Sequence, residues 1–186
     1  DPADWWAAVA EGIRAVLAKS GRPAAEVKGI GLSGQMHGLV MLDKDNRVLR
    51  RSIIWCDQRT AEECADVERR LTRERLVAVT ANPALTGFTA SKILWVRRHE
   101  PALYEKCRQI LLPKDYVRYK LTGVYASEMS DASGTNLLDV PGRCWSREIL
   151  EKLEIDPALL PPLYESCQVA GRITAQAAAA TGLIPG

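Results

Sequence analysis

Apolar residues recur at helical spacing near the start of the chain. The repeated intervals of three and four residues place them on one helical stripe, made up of Trp6, Val9, Ile13 and Leu17. Asp1-Pro2 is typical of a helix start, because aspartate can cap free backbone N–H groups and proline suits the first turn. Ser20-Gly21 predicts the helix end, since glycine readily adopts the left-handed cap conformation.

The same periodicity and similar end signals predict further helices along the chain. They are expected over residues 60–71, 89–99, 101–107, 113–123, 145–153 and 174–180, with a short helical turn at Asp156-Pro157. In the helix over 89–99, Ile93, Leu94 and Val96 are expected to face the core. Residues 127–134 are expected to be polar and irregular.

Short apolar runs between these helices predict strands. The first contains Val27, Ile30 and Leu32 and is interrupted by glycines; it is expected to be a buried strand that leads into a glycine-rich loop. A hairpin is expected around Lys44-Asp45-Asn46, and the remaining strands over 52–55, 110–112, 136–140 and 171–173. Strands alternating with helices indicate an α/β protein with a partly parallel sheet, in which ligands bind at the carboxyl ends of the strands.

Composition narrows the class of protein. The 186 residues are 47% hydrophobic and 26% charged, which is typical of a globular protein and excludes disordered and collagen-like classes. No apolar run approaches the roughly 20 residues of a membrane span. One domain over residues 1–186 is the expectation, with no membrane partner.

The net charge of +2 gives no long-range attraction toward nucleic acid. Arginines cluster over residues 69–75 and 97–98, but acidic residues lie among them, so a solvated helix face is favoured. A nucleic-acid or protein interaction domain is the alternative, and it predicts steeply salt-dependent binding.

The five cysteines are an odd number without C-x-x-C spacing. This pattern favours reduced thiols in a cytoplasmic protein over a disulfide framework. The two histidines have no cysteine at ligand spacing, so no metal site is expected.

Two loops after predicted strands carry groups suited to a hydroxyl-rich ligand. Gln35 and His37 lie in Ser33–Gly38, where glycines let the backbone approach a ligand closely. The second loop, Trp55–Arg59, offers an indole for the C–H face of a sugar and an acceptor in Asp57. The alternatives remain open: a structural His37, a core Trp55, and a local Asp57–Arg59 pair.

A third polar loop, Ser130–Thr135, contains Asp131 and could either cap a helix or close over a ligand. No phosphate-binding P-loop, dinucleotide fingerprint or nucleophile elbow occurs in the chain. A Cys56–His37 nucleophile pair lacks a third group to orient it and is disfavoured.

Several segments together resemble one family, the FGGY carbohydrate kinases. The matching segments are Gly29–Gly38, Gly87–His99, Leu111–Tyr116, Met129–Thr135, and Asp1-Pro2 with Trp5-Trp6. They occur in the family's order and cover nearly the whole chain. The Gln35-Met36-His37 run resembles the xylulokinases within the family.

This resemblance implies two actin-like (ribonuclease H-like) domains, of which the N-terminal one holds the sugar and the C-terminal one holds ATP and Mg²⁺. It implies phosphorylation of D-xylulose at its 5-hydroxyl. The residues carried over to the sugar site are Gln35, Met36, His37, Trp55, Asp57, Arg59 and Asp131. The alternatives are a kinase for another ketose or polyol, and a non-catalytic sugar-binding module; a homodimer is also left open.

The chain begins without methionine at a helix start, and we expect it to be a fragment. Relative to the family it lacks the first hairpin, the C-terminal ATP domain and the general-base aspartate, which is expected downstream. No catalytic residue is therefore expected within it, and the missing hairpin should leave unpaired strand edges.

Overall fold

The computed structural model describes residues 1–186 and contains nine α-helices and six short β-strands. The helices are α1 Pro2–Ser20, α2 Ala61–Leu71, α3 Arg73–Thr80, α4 Thr89–His99, α5 Pro101–Tyr104, α6 Pro113–Thr122, α7 Met129–Ser133, α8 Arg147–Leu153 and α9 Ala175–Thr181. The strands are β1 Val40–Leu42, β2 Gln109–Leu111, β3 Ser127–Glu128, β4 Leu138–Asp139, β5 Cys144–Trp145 and β6 Leu163–Tyr164. Residues 24–26 and 157–159 form single 3₁₀ turns.

Local sequence signals place most helix ends correctly. The Asp1 carboxylate accepts a hydrogen bond from the Ala3 N–H at 2.9 Å, and α1 ends at Gly21 with φ of 65°. Gly123 ends α6 in the same left-handed conformation, with φ of 71°. The predicted bounds of α4 are confirmed, and its three predicted core residues are buried.

Helix α3 was not predicted from the sequence. It begins with charged residues and buries only Leu76, Val79 and Thr80, so its apolar periodicity is weak. Thr72 caps it, accepting from the Arg75 N–H at 3.3 Å. Thr60 stands at the start of α2 as predicted, but its hydroxyl bonds Ser91 Oγ at 3.0 Å instead of capping the helix.

The strands form three separate two-stranded sheets. β1 pairs antiparallel with β2, with Met41 opposite Ile110, and β4 pairs antiparallel with β5. Only β3 and β6 are parallel. The predicted hairpin turn is confirmed by the Asp43 N–H, which donates to Arg47 O at 3.0 Å. The α/β class is confirmed, but the expected partly parallel sheet is replaced by three separate pairs, of which only one is parallel.

Several of the predicted segments differ in the structure. Residues 52–55 form no strand beyond an isolated bridge of Ile53 to Leu39, the helix expected over 101–107 ends at Tyr104, and Trp145 lies in β5 instead of a helix. Residues 27–32 form no strand, and Val27 and Ile30 are 41% and 43% exposed, because no strand of residues 1–186 pairs with this glycine-rich segment. Residues 171–173 likewise form no strand. The segment 127–134 is ordered as β3 and α7, since Glu128 caps the helix through its side chain.

The main core cluster contains 19 buried residues contributed mainly by α2, α3, α4 and α8 together with β1. Ile93, Ile149 and Leu153 are among its fully buried members. A smaller cluster on the other side of β1 and β2 consists of Val40, Leu42, Leu111 and Tyr116, and Trp5 and Trp6 of α1 pack against it. None of the helices has the length and apolar character needed to cross a membrane.

Candidate functional site

The segment that leads into β1 is bent sharply at His37. His37 has φ of 65°, in the left-handed region that residues with a Cβ seldom adopt. Its carbonyl oxygen accepts hydrogen bonds from Lys92 Nζ at 2.9 Å and Thr89 Oγ1 at 3.1 Å. The first turn of α4 therefore holds the backbone of His37 in place.

A second contact orients the imidazole ring of His37. Its Nδ1 lies 2.8 Å from the Gly134 carbonyl oxygen, which can only accept, so Nδ1 carries the proton. In the neutral ring, Nε2 is then a hydrogen-bond acceptor. The Phe88 ring packs against the imidazole with centroids 4.6 Å apart.

The charge state of His37 follows from its surroundings. Burial lowers its pKa below the ordinary value of 6.5; the bond to Gly134 opposes this, and the nearby Lys92 charge lowers the pKa further. The Asp131 carboxylate acts in the opposite direction. The net lowering favours the neutral ring and an Nε2 that accepts.

Gly134 permits this close approach. A Cβ on Gly134 would overlap Cε1 and Nδ1 of the His37 ring. Glycine is therefore required at this position by contact with the ring, and the residue belongs to the site although its side chain contributes nothing.

The second predicted loop presents an exposed indole. Trp55 is 56% exposed, so the alternative of a core Trp55 is wrong. Its carbonyl oxygen lies against Gly87, where an added Cβ would come within 3.0 Å. Because Lys92 Nζ also donates to Gly87 O at 2.5 Å, the two loops meet at the same helix start.

Asp57 and Arg59 form the local pair that the sequence left open. Arg59 Nη2 lies 2.8 Å from Asp57 Oδ2, and the Arg59 guanidinium lies over the Trp95 ring at 4.8 Å. Hydrogen bonds from Arg59 hold the pKa of Asp57 below its usual range. Asp57 is thus an ionised acceptor, and Arg59 serves to orient it.

Asp131 lies in the first turn of α7 and pairs with Lys114 Nζ at 2.7 Å. Lys114 also lies 3.2 Å from Glu128 Oε1, which caps the helix. The Asp131 carbonyl oxygen accepts from the Gly134 N–H at 3.1 Å, and the Gly134 carbonyl oxygen bonds the His37 ring, so Asp131 belongs to the same region of the fold. It was expected in an irregular loop; the structure places it on a capped helix.

The predicted residues thus fall into two groups. Met36, His37 and Asp131 lie around one bend, and Trp55, Asp57 and Arg59 lie along a second loop; Gly87 and Lys92 connect the two. Met36 is 48% exposed, whereas Gln35 Oε1 is buried and accepts no hydrogen bond. The first loop precedes β1, and the second follows residues 52–55, of which only Ile53 forms an isolated antiparallel bridge. Neither loop lies at the carboxyl end of a parallel strand, so that expectation is wrong. The cause is that residues 27–32 form no ladder.

Sequence reasoning assigned no role to Lys92 or Phe88. The available signal was position: Lys92 lies three residues after Thr89 and four before Val96, which puts a cation on the buried face of α4. A lysine on an otherwise buried stripe is a candidate for function, because burying an ammonium group is costly.

A large groove of about 830 Å³ adjoins the bend. Residues 27–34 and 164–173 form much of its walls, and Met36, Lys114 and Asp131 also line it. His37, Trp55 and Asp57 do not. No group of three or more His, Cys, Asp or Glu side chains is arranged to hold a metal ion.

Comparison with known proteins shows which family this chain matches. The model of the N-terminal domain of the FGGY family of carbohydrate kinases matches residues 1–186. The xylulose kinase of Escherichia coli K12 is 42% identical over 98% of this chain, and that of Bacillus subtilis 168 is 42% identical over 99%. The crystal structure of a xyloylose kinase from Brucella ovis superposes with a TM-score of 0.89 at 42% identity and covers 95% of the chain.

The chain spans only part of these proteins. It covers 37% of the length of both curated relatives and 36% of the Brucella chain. The structural match nevertheless extends over nearly all of the 186 residues and confirms the predicted actin-like fold class. On the family match over its whole length, and on this shared fold, the chain belongs to the FGGY family of carbohydrate kinases.

Proposed function

We propose that residues 1–186 form the sugar-binding part of a longer, ATP-dependent kinase that phosphorylates D-xylulose. The observation that carries the proposal is the 42% identity to xylulose kinases over 98% of the chain, which includes the bend at His37. ATP and Mg²⁺ are proposed to bind the rest of the protein, because the chain matches the N-terminal domain of the family and spans only 37% of the length of a xylulose kinase relative.

The chemistry of the site supports a polyhydroxylated ligand. His37 Nε2 accepts from a sugar hydroxyl when the ring is neutral, since Nδ1 donates to Gly134 O. The ionised Asp57 is a second acceptor, held in orientation by Arg59. The exposed Trp55 indole provides an apolar face for the sugar C–H groups. Gln35 and Met36 precede the bend; Met36 is exposed, and the buried Gln35 Oε1 accepts no hydrogen bond within the chain.

Within this proposal the chain binds and orients the sugar, and the reaction is completed elsewhere. Phosphoryl transfer depends chiefly on positioning and on stabilising the charge of the transferred group. The groups described here fix hydroxyls in space, and the general base is proposed to lie in the part of the protein beyond residue 186.

The test is ADP release by the full-length protein with magnesium-ATP and a panel of D-xylulose, L-ribulose, glycerol and gluconate. We expect the highest kcat/KM with D-xylulose. Preference for another member would retain the kinase and overturn the substrate. No ADP release with any sugar, together with sugar binding in calorimetry, would point to a non-catalytic sugar-binding module.

A further inference from the structure

We propose that Lys92 is a positioning residue of the sugar site: its buried ammonium group fastens the bend at His37 and the turn at Gly87 to helix α4. This inference rests on the proposed sugar site and adds a residue to which neither the motif resemblance nor the polar loops gave a role. Lys92 touches no exposed surface, so it acts through His37 and Trp55 and not on the sugar itself.

The first line of support is what Lys92 binds. Both acceptors of its Nζ are backbone carbonyl oxygens, of His37 at 2.9 Å and of Gly87 at 2.5 Å. These carbonyls belong to separate loops, 50 residues apart in sequence. One ammonium group therefore bonds both the loop that carries His37 and the turn at Gly87. The Trp55 carbonyl oxygen lies close to that turn.

The second line is the conformation of His37. A left-handed backbone on a residue with a side chain costs about 1–2 kcal/mol. It persists only where the surroundings hold it, as is common at functional sites. The Lys92 and Thr89 bonds to the His37 carbonyl supply that restraint at the bend itself.

The third line of support is the free-energy cost of burying the Lys92 ammonium group. Lys92 is fully buried, and burial lowers its pKa to about 8, although the Asp57 carboxylate opposes this. A charge buried against two neutral carbonyls is an expensive way to stabilise a helix, and an apolar side chain would suit that purpose better. The arrangement is explained if the cation orders the site.

The test compares three full-length proteins: wild type, Lys92→Met and the control Arg97→Met. Arg97 lies on the same helix, and its Nη1 also donates to two carbonyl oxygens, of Leu153 at 2.8 Å and of Glu154 at 2.7 Å, away from the sugar site. Both substitutions thus remove a cation from a pair of carbonyls, and only one of the pairs belongs to the site.

We expect Lys92→Met to raise the Kd for D-xylulose in calorimetry at least about tenfold, and Arg97→Met to leave it within about twofold. The ATP KM should remain within about twofold in both variants. Equal sugar Kd values for Lys92→Met and Arg97→Met would overturn the proposal.

A second readout does not depend on sugar binding. The His37 imidazole, followed by NMR with ¹³C-labelled histidine and assigned with His37→Asn, should titrate at higher pH in Lys92→Met because a neighbouring positive charge is lost. Its titration in Arg97→Met should match wild type. If wild type binds no sugar, the proposed function fails, and this titration alone decides the role of Lys92.

Should Lys92→Met fail to fold, Thr89→Val removes the other donor to the His37 carbonyl while leaving Lys92 in place. We expect Thr89→Val to raise the sugar Kd about threefold, in line with the loss of one neutral hydrogen bond. An unchanged sugar Kd in a folded Thr89→Val protein would count against the positioning of His37 by α4.

Discussion

At the scale of single residues, His37 combines a strained backbone with a ring held at one nitrogen. The Gly134 carbonyl fixes the tautomer, and the first turn of α4 fixes the backbone. The remaining ring nitrogen, Nε2, accepts no bond within the loop and is the atom assigned to the sugar. Side chain and backbone of this residue are therefore separable in their effects.

Replacing His37 with glycine and with alanine tests that separation. Both variants lose the imidazole, so we expect both to raise the sugar KM of the full-length protein at least about tenfold. The His37→Gly protein should be more stable than the His37→Ala protein by about 1 kcal/mol, because the Cβ of alanine is strained at a positive φ and glycine has no Cβ. Steady-state kinetics and urea unfolding provide the two measurements.

Cys56→Ser is the matched control for a change beside the pocket. Cys56 is a free, exposed thiol between Trp55 and Asp57. We expect the sugar KM of the full-length Cys56→Ser protein to remain within about twofold of wild type. A sugar KM unaffected in both His37 variants would remove His37 from the proposed site.

At the scale of secondary-structure elements, the short helix α7 depends on one carboxylate. Glu128 accepts from the backbone N–H groups of Ser130 at 3.0 Å and Asp131 at 2.7 Å, and also from Ser166 Oγ at 2.8 Å. Burial would raise its pKa, but these bonds and one from the Ser130 hydroxyl lower it from 4.5 to about 2. The helix that presents Asp131 is therefore stabilised by an ionised cap.

This cap predicts a specific dependence of stability on pH. Because the folded pKa of Glu128 lies below its ordinary value, its stabilisation is complete above pH 4.5 and is lost as the pH falls from 4.5 toward about 2. The urea midpoint of wild type should fall more steeply over this interval than that of Glu128→Gln. For the control Glu11→Gln, on the exposed face of α1, the plot of urea midpoint against pH should run parallel to that of wild type. A plot for Glu128→Gln that also runs parallel to wild type would contradict the role of Glu128 as an ionised cap.

At the scale of the whole molecule, two apolar clusters lie on opposite sides of β1 and β2. The larger one joins α2, α4 and α8, and near its N-terminal end α4 presents the donors Thr89 Oγ1 and Lys92 Nζ, which bond the His37 carbonyl. Residues 27–34 stand apart from both clusters along the large groove. The proposed sugar site thus lies where the start of the buried helix α4 meets loops outside both clusters.

Ile93 tests the larger cluster. Ile93 is fully buried next to Lys92, and Ile93→Ala should destabilise the chain by about 3 kcal/mol, since a cavity is left in a packed core. Val16→Ala, at a position 67% exposed on α1, should change stability by no more than about 0.5 kcal/mol. Denaturant unfolding compares the two, and a loss for Ile93→Ala as small as that for Val16→Ala would contradict this core.

A further prediction concerns the activity of residues 1–186 alone. We expect the isolated chain to release no ADP from magnesium-ATP with D-xylulose, because the proposed base and nucleotide site lie outside it. A coupled ADP assay of the purified chain beside the full-length protein checks this. ADP release that disappears on His37→Ala would show that the chain carries the reaction itself.

Local signals in the sequence determined the helices and the family. Capping residues and apolar spacing gave α1, α4 and α6 with nearly correct bounds, because these signals act over one or two turns. The motif around Gln35-Met36-His37 and the 87–99 segment identified the FGGY family, which the comparisons confirm. The seven candidate sugar-site residues remain predictions.

Tertiary structure decided what depends on partners distant in the chain. Residues 27–32 have the composition of a strand, but a strand needs a neighbour to pair with, and none of these residues has one. The tautomer of His37 depends on Gly134, 97 positions away, and the buried Lys92 bonds the carbonyl of His37, 55 positions away. The spacing of residues along the chain does not predict such contacts, because they form only when separate loops pack against the same helix.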